Sequence, residues 1–141
     1  MCPPVRPGTI FGYTILNDVS ARDVQTAHKQ WYFGKSLDGF TPIGPCIVTA
    51  DAFADYPPRL GIRSFVNGEK RQDSNTALQI FDIDHVIAEL SQGMTLKAGT
   101  IIATGTPAGV GMGMDPPQFL KPGDVVRCEI DGIGTLTNPV K

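Results

Sequence analysis

Ile62-Arg63-Ser64-Phe65-Val66-Asn67-Gly68-Glu69-Lys70-Arg71-Gln72 is the stretch that sets the architecture. Ile62, Phe65 and Val66 are β-branched or aromatic, the residue types of a strand, and only the polar pair Arg63-Ser64 interrupts them. Asn-Gly is the pair that tolerates positive φ at both central positions of a type I′ turn, and that turn has the twist antiparallel strands need. The stretch therefore predicts a hairpin closed by a two-residue I′ turn.

Working outward toward the C-terminus, Asp82 or Asp84 caps a helix with Val86, Ile87 and Leu90 on its apolar side and Gly93 as its stop. The short apolar run Ile101-Ile102-Ala103 reads as a strand, and a glycine-rich loop spans Thr104 to Gly113. Two more strands follow, Asp124 to Ile130 and Ile133 to Thr137, with Asp131-Gly132 turning between them. Toward the N-terminus, residues 33–45 hold three glycines and two prolines and form a long loop that leads into a strand from Cys46 to Thr49. Before that loop, Phe11 to Asn17 is β-branched and aromatic and reads as a strand ending at Asp18. Ser20 with Asp23 makes an approximate capping box that opens a short helix through about His28. The first eight residues hold three prolines and a glycine. They give an extended tail over 1–9 and a single domain over 10–141. Strands outnumber helices without regular βα alternation, so the expected fold is α+β, mostly β, with a mixed or rolled sheet.

Composition excludes several classes. The chain has 141 residues, 41% hydrophobic and 18% charged, and a mean hydropathy of −0.03, which suits one domain with a core rather than a disordered segment. A net charge of −2 and a pI near 5.5, with Lys and Arg scattered, leave no basic field for nucleic acid. No stretch approaches the roughly 18 uncharged apolar residues of a membrane helix, and the first residues lack a signal peptide's apolar run. Cys2, Cys46 and Cys128 are odd in number and have no pair at zinc-ligand spacing, so they read as reduced thiols. The expected setting is the cytoplasm or an organelle matrix, with no membrane partner.

The motifs that carry chemistry are few. Thr104 to Gly113 is not a dinucleotide fingerprint, because Met-Asp-Pro-Pro follows where a helix would have to open. Gly34-Lys35-Ser36 ends like a P-loop, but the first glycine of that motif would stand at Lys29. The glycine loop is either a tight connector with positive φ, or a place where Gly105 lets backbone amides reach an anion while Thr106 donates its hydroxyl. Taken singly, Asp18, Arg22 and Asp23 are helix-terminal charges, and Lys35 is a solvated lysine. His28 and His85 are isolated.

Taken together these residues carry a resemblance. Gly12-Tyr13-Thr14-Ile15-Leu16-Asn17-Asp18-Val19-Ser20-Ala21-Arg22-Asp23-Val24-Gln25 comes first, then Gly34-Lys35-Ser36. Val66-Asn67-Gly68-Glu69 with Arg71-Gln72, Ala103 to Gly111 and Leu120-Lys121-Pro122-Gly123-Asp124 follow in the same order. This succession resembles the fumarylacetoacetate hydrolase family over nearly the whole chain from about Phe11. The resemblance implies a distorted, rolled β catalytic domain, a homodimer, and Mg²⁺ or Mn²⁺ acting on small 2-oxo acids or β-diketo acids. The cation stabilises an enolate during C–C hydrolysis, decarboxylation or isomerisation. It further implies Asp18 as a metal ligand, Lys35 and Arg22 as catalytic residues, and Gln25, Gly105 and Thr106 as the residues that bind a small carboxylate substrate.

The chain departs from that pattern in one respect. The family's Glu-x-Glu pair and its lid His and Glu lie upstream of the Asp18 block and are not in this sequence. Asp82-Ile83-Asp84 and Glu129-Ile130-Asp131 have the spacing, but they read better as a helix cap and an exposed strand edge. The expected result is a C-terminal portion of the fold, incomplete at its N-terminal side, with open sheet edges. The alternative function is then a catalytically incomplete fragment or split subunit that folds or associates with a partner chain.

Overall fold

The computed structural model describes residues 8–27 and 29–141; most of the expected tail, Cys2 and the helix end at His28 lie outside the described residues. Asn67 and Gly68 take φ of 52° and 85°, the I′ geometry, and join β3 (Gly61–Val66) to β4 (Glu69–Asn75). The hairpin grows into a four-stranded antiparallel sheet in the order β4-β3-β5-β6, with β5 at Val125–Ile130 and β6 at Gly134–Pro139. A second antiparallel pair joins β1 (Gly12–Leu16) to β2 (Ile43–Thr49). The expected mixed sheet is thus realised as two open antiparallel ones among the described residues. β2 starts at Ile43, so the 33–45 loop is shorter than its glycines and prolines suggested.

The two sheets meet where β1 and β2 pack over β5 and β6. Ile15 on β1, Val126 on β5 and Ile133 beside β6 are buried there, and the Asn17 side chain donates to Asn138 on β6 at 3.3 Å. This small core is what fixes the end of β1, and so the start of the candidate site. α2 (Ile83–Ser91) is capped by Asp82, whose side chain accepts from the His85 amide at 2.7 Å. Of its residues only Ala88 is buried.

Three local expectations change. Ile101-Ile102-Ala103 forms no strand, and Ile101 is 59% exposed. An apolar run becomes a strand only where a neighbouring edge takes its backbone bonds, and among the described residues none does so. The Asp131-Gly132 turn is a three-residue loop, because Ile130 pairs with Gly134 and Ile133 is tucked into the core. Asp131 is tethered to β3 through its amide to Gly61 O at 3.0 Å and its carboxylate to Arg63 Nη1 at 2.8 Å. Ser20 does not cap α1 (Arg22–Ala27), since its hydroxyl donates to the Asp18 carbonyl at 3.2 Å instead.

Much apolar surface stays open. The chain exposes 9830 Å², while a compact monomer of 15.1 kDa exposes roughly 7,000 Å². Phe11, Trp31, Ile47 and Ile80 are among the exposed large side chains. β4 and β6 are open edges of the larger sheet.

Candidate active site

β1 ends at Leu16, and the chain turns through Asn17, Asp18 and Val19 before α1. Asn17 N is tied to Pro42 O at 3.0 Å, which holds this corner against the start of β2. A 3₁₀ turn, Phe33–Lys35, returns across the N-terminal end of α1. Ala21 N donates to Gly34 O at 2.8 Å, and a Cβ on Gly34 would sit 2.8 Å from Ala21 O and 2.9 Å from Gln25 N. Only glycine permits that approach, and the approach delivers Lys35 to Asp18. The Lys35 ammonium is bonded to the Asp18 carboxylate and donates to Ser20 Oγ at 3.1 Å. Both members of the ion pair are partly exposed, 28% for Lys35 and 37% for Asp18, so the pair faces solvent on one side.

Arg22 turns along its own helix. Its Nη1 donates to Gln25 Oε1 at 2.9 Å, and Gln25 is 4% exposed, the one buried polar residue among the described residues. A helix opening at Ser20, as the capping-box sequence suggests, would hold Arg22 close to Asp18. α1 begins at Arg22 instead, and Lys35 is the cation that meets Asp18.

Thr106 and Gly105 lie on the glycine-rich loop, where both are exposed and Gly105 has φ +99°. The loop is pinned to β4. Gln72 Nε2 donates to Thr106 Oγ1 and to Pro107 O, each at 2.8 Å, and Ser64 Oγ donates to Gln72 Oε1 at 2.7 Å. Gly109, at φ +106°, passes so close to the Arg71 carbonyl that a Cβ would collide with it. Arg71 itself reaches Gln118 and, through Nη1, Met114 Sδ at 2.9 Å. The resemblance gives Gln72 no role, although it lies in one of the matching blocks, and none to Ser64, its cross-strand partner.

The structure thus joins Asp18 with Lys35 and Ser20, Arg22 with Gln25, and Thr106 with Gln72. Among the described residues no hydrogen bond or ion pair links the Thr106 group to the Asp18 group. A hard divalent cation needs several oxygen ligands. Asp18 offers one carboxylate, already held by an ammonium, and no group of three His, Cys, Asp or Glu residues is assembled among the described residues. The described residues do not compose a Mg²⁺ or Mn²⁺ site by themselves.

Open antiparallel sheets, a charged corner at the end of β1 and a glycine loop pinned over β4 make an α+β, mostly β domain. The chain belongs to the fumarylacetoacetate hydrolase family: the family's C-terminal domain pattern, "Fumarylacetoacetate (FAA) hydrolase C-terminal", matches residues 7–141. Among curated proteins it is 52% identical over 131 residues to oxaloacetate tautomerase YisK of Bacillus subtilis, covering 93% of this chain and 43% of that protein. It is 51% identical to the mitochondrial oxaloacetate tautomerase fahd2 of Xenopus laevis, covering 93% of this chain and 41% of that one. Among solved structures, a fumarylacetoacetate hydrolase from Exiguobacterium antarcticum superposes with a TM-score of 0.89 at 56% identity, over 93% of this chain and 47% of that one. A 2-hydroxyhepta-2,4-diene-1,7-dioate isomerase from Mycobacterium marinum gives 0.79 at 47% identity, over 92% and 47%. The chain therefore spans less than half the length of these relatives. Among the described residues no helix is long and apolar enough to cross a membrane.

Proposed function

We propose that this chain supplies the oxyanion- and carboxylate-binding part of an active site that interconverts keto and enol forms of a small 2-oxo dicarboxylate such as oxaloacetate. The observation that carries the reading is the Lys35 ammonium held between Asp18 and Ser20 at a corner open to solvent. In enolisation a solvent water reaching the open corner takes a proton from C3, and negative charge develops on the C2 oxygen. A fixed ammonium aimed at that oxygen stabilises the charge without reorganising, and can donate the proton that completes the enol. Asp18 and Ser20 orient that ammonium. Thr106 and the backbone at Gly105 hold a substrate carboxylate, and Arg22, anchored by Gln25, offers a planar fork to the other. The relatives named as oxaloacetate tautomerases support the choice of this reaction over C–C cleavage.

The test follows the decay of enol oxaloacetate absorbance with the 141-residue chain, beside Lys35→Met, with and without Mg²⁺. Acceleration by the chain that falls about a hundredfold in Lys35→Met is the expected result. Equal rates for the two proteins, with both folded, would remove Lys35 from the chemistry.

A second reading has its own support in the 9830 Å² of exposed surface and the open edges of both sheets. In it the chain is catalytically incomplete alone and self-associates as a homodimer through its exposed apolar side chains. Sedimentation velocity distinguishes the two. A chain that stays monomeric at micromolar concentration with native-like circular dichroism does not need the partner.

A further inference from the structure

The hairpin is irregular at one place. A two-residue turn at Asn67-Gly68 pairs Val66 with Glu69 and Phe65 with Lys70, and a regular ladder would then set Ser64 opposite Arg71. The register shifts there, and Ser64 faces Gln72 instead. The extra residue is Arg71, and a bulge of this kind re-aims the side chains on either side of it. Here it puts Gln72 on the side of Ser64 and under the glycine loop, while the Arg71 carbonyl meets Gly109.

The bonds that follow are ordered by chemistry. Pro107 O can only accept, so the Gln72 atom facing it is the NH₂ nitrogen, and the amide orientation is settled. Its oxygen then faces Ser64, whose hydroxyl donates to it at 2.7 Å. The second N–H of the same nitrogen goes to Thr106 Oγ1 at 2.8 Å, so Thr106 accepts from below. Its own O–H is left to donate outward, on the exposed side of the loop. One of the hydroxyl's two lone pairs is occupied before any ligand arrives while its O–H stays available, which biases it toward donating to a carboxylate oxygen.

We propose that Ser64 and Gln72 are positioning residues: through the bulge at Arg71 they fix the Thr106 hydroxyl as a donor toward the substrate carboxylate. This rests on the functional reading above for the identity of the ligand, but the relay itself is a property of the free chain and is measured separately.

Two measurements test it. In the ¹⁵N-labelled 141-residue chain, the Gln72 carboxamide protons exchange about tenfold more slowly than those of the exposed Gln30, and Ser64→Ala removes most of that protection. Carboxamide protons of Gln72 that exchange as fast as those of Gln30 overturn the relay. The second measurement titrates oxalate, a mimic of the enolised 2-oxo acid, into a double-mutant cycle. Gln72→Ala weakens binding about tenfold when Thr106 is present and changes it less than about twofold when Thr106 is already replaced by valine. Gln72→Met, of nearly the same length, uncharged and unable to donate, shows the same dependence if folding of the alanine variant fails. An equal loss in both backgrounds overturns the proposal, since Gln72 would then only hold the loop. If wild type binds no oxalate while Gln72 is protected, the reading of this loop as a carboxylate site fails, and with it the donor role of Thr106. A failed cycle with intact wild-type binding overturns the relay alone and leaves that reading standing.

Discussion

The four-stranded sheet and the pair formed by β1 and β2 are held by different means. In the larger sheet each strand has a laddered neighbour, from Gly61↔Asn75 in the hairpin to Val125↔Pro139 at the far edge. Backbone bonds and sequence-local turns do most of the holding. The smaller pair has one ladder, broken by a shift between Tyr13 and Ile15, and depends on burying Ile15 against the larger sheet. Asp18 and Lys35 sit on the smaller pair's side, whereas Thr106 is pinned to the larger sheet through Gln72. The comparison teaches that the two groups of candidate site residues have separate supports, so damage to one support need not disturb the other.

The largest effect expected is from Ile15→Ala. Ile15 is 2% exposed and the largest fully buried side chain among the described residues. Removing it costs about 3 kcal/mol, by lost transfer energy and an unfilled cavity. The measurement that checks it is amide exchange: protection at β1 and β2 should collapse, together with the Lys35–Asp18 contact, while the hairpin around Asn67 keeps most of its protection. Uniform loss through both sheets would show that the supports are not separate.

Gly109→Ala strikes the other support. Its positive φ strains any side chain, and the collision is with the Arg71 backbone carbonyl, which cannot swing away as a side chain would. A loss of about 2 kcal/mol is expected. In ¹⁵N spectra Gln72 and Thr106 should shift while Lys35 does not, the reverse of Ile15→Ala. Asp82→Ala tests a region tied to neither support. It removes the acceptor for the His85 amide and should cost about 1 kcal/mol in thermal unfolding, with no change at either group of site residues.

The uneven legibility of the chain in its sequence follows the same division. Asn67-Gly68 and Asp82 were readable because their conformations are set within a few residues: one by tolerance of positive φ, the other by a side chain reaching the amide three residues on. The bulge at Arg71 was not readable. It depends on the glycine loop crossing β4 from a distant part of the chain, and no periodicity within the hairpin announces it. The same holds for Ser20. A serine three residues before Asp23 has the sequence of a cap, but Lys35, brought in by Gly34, and the Asp18 carbonyl take its hydroxyl. Ile101-Ile102-Ala103 has strand composition without a partner edge, which composition cannot reveal. Among the candidate site residues, Asp18, Lys35 and Thr106 are pointed to by the resemblance, whereas Gln72, which bonds Thr106, lies in one of its blocks with no role implied.

The smallest effect separates the two sheets by acid. Asp124 binds the hairpin turn to the start of β5: its carboxylate accepts from Asn67 Nδ2 at 2.8 Å and from the Lys121 amide at 2.8 Å. These two bonds, the Asn67 one first, hold the Asp124 carboxyl below its ordinary value of 3.8. A carboxyl depressed by folding stabilises the folded state fully above its unfolded value, and the stabilisation is lost as pH falls from there through the folded value. The turn should therefore keep its protection down to about pH 4 and loosen below it, with the Asn67 side-chain and Lys121 amide protons exchanging first. Asp131 behaves alike through Arg63, so the β3–β5 side of the larger sheet carries two such acid-sensitive ties. β1 and β2 depend on apolar burial of Ile15 and should keep their protection over the same interval. An asparagine side chain keeps one oxygen for one of these two donors and turns its NH₂ to the other, and it does not titrate in this range; Asp124→Asn should therefore weaken the turn at every pH but remove the change in its exchange behaviour between about pH 5 and about pH 3. If the turn in that variant loosens with acid as the wild type does, the sensitivity belongs to another group.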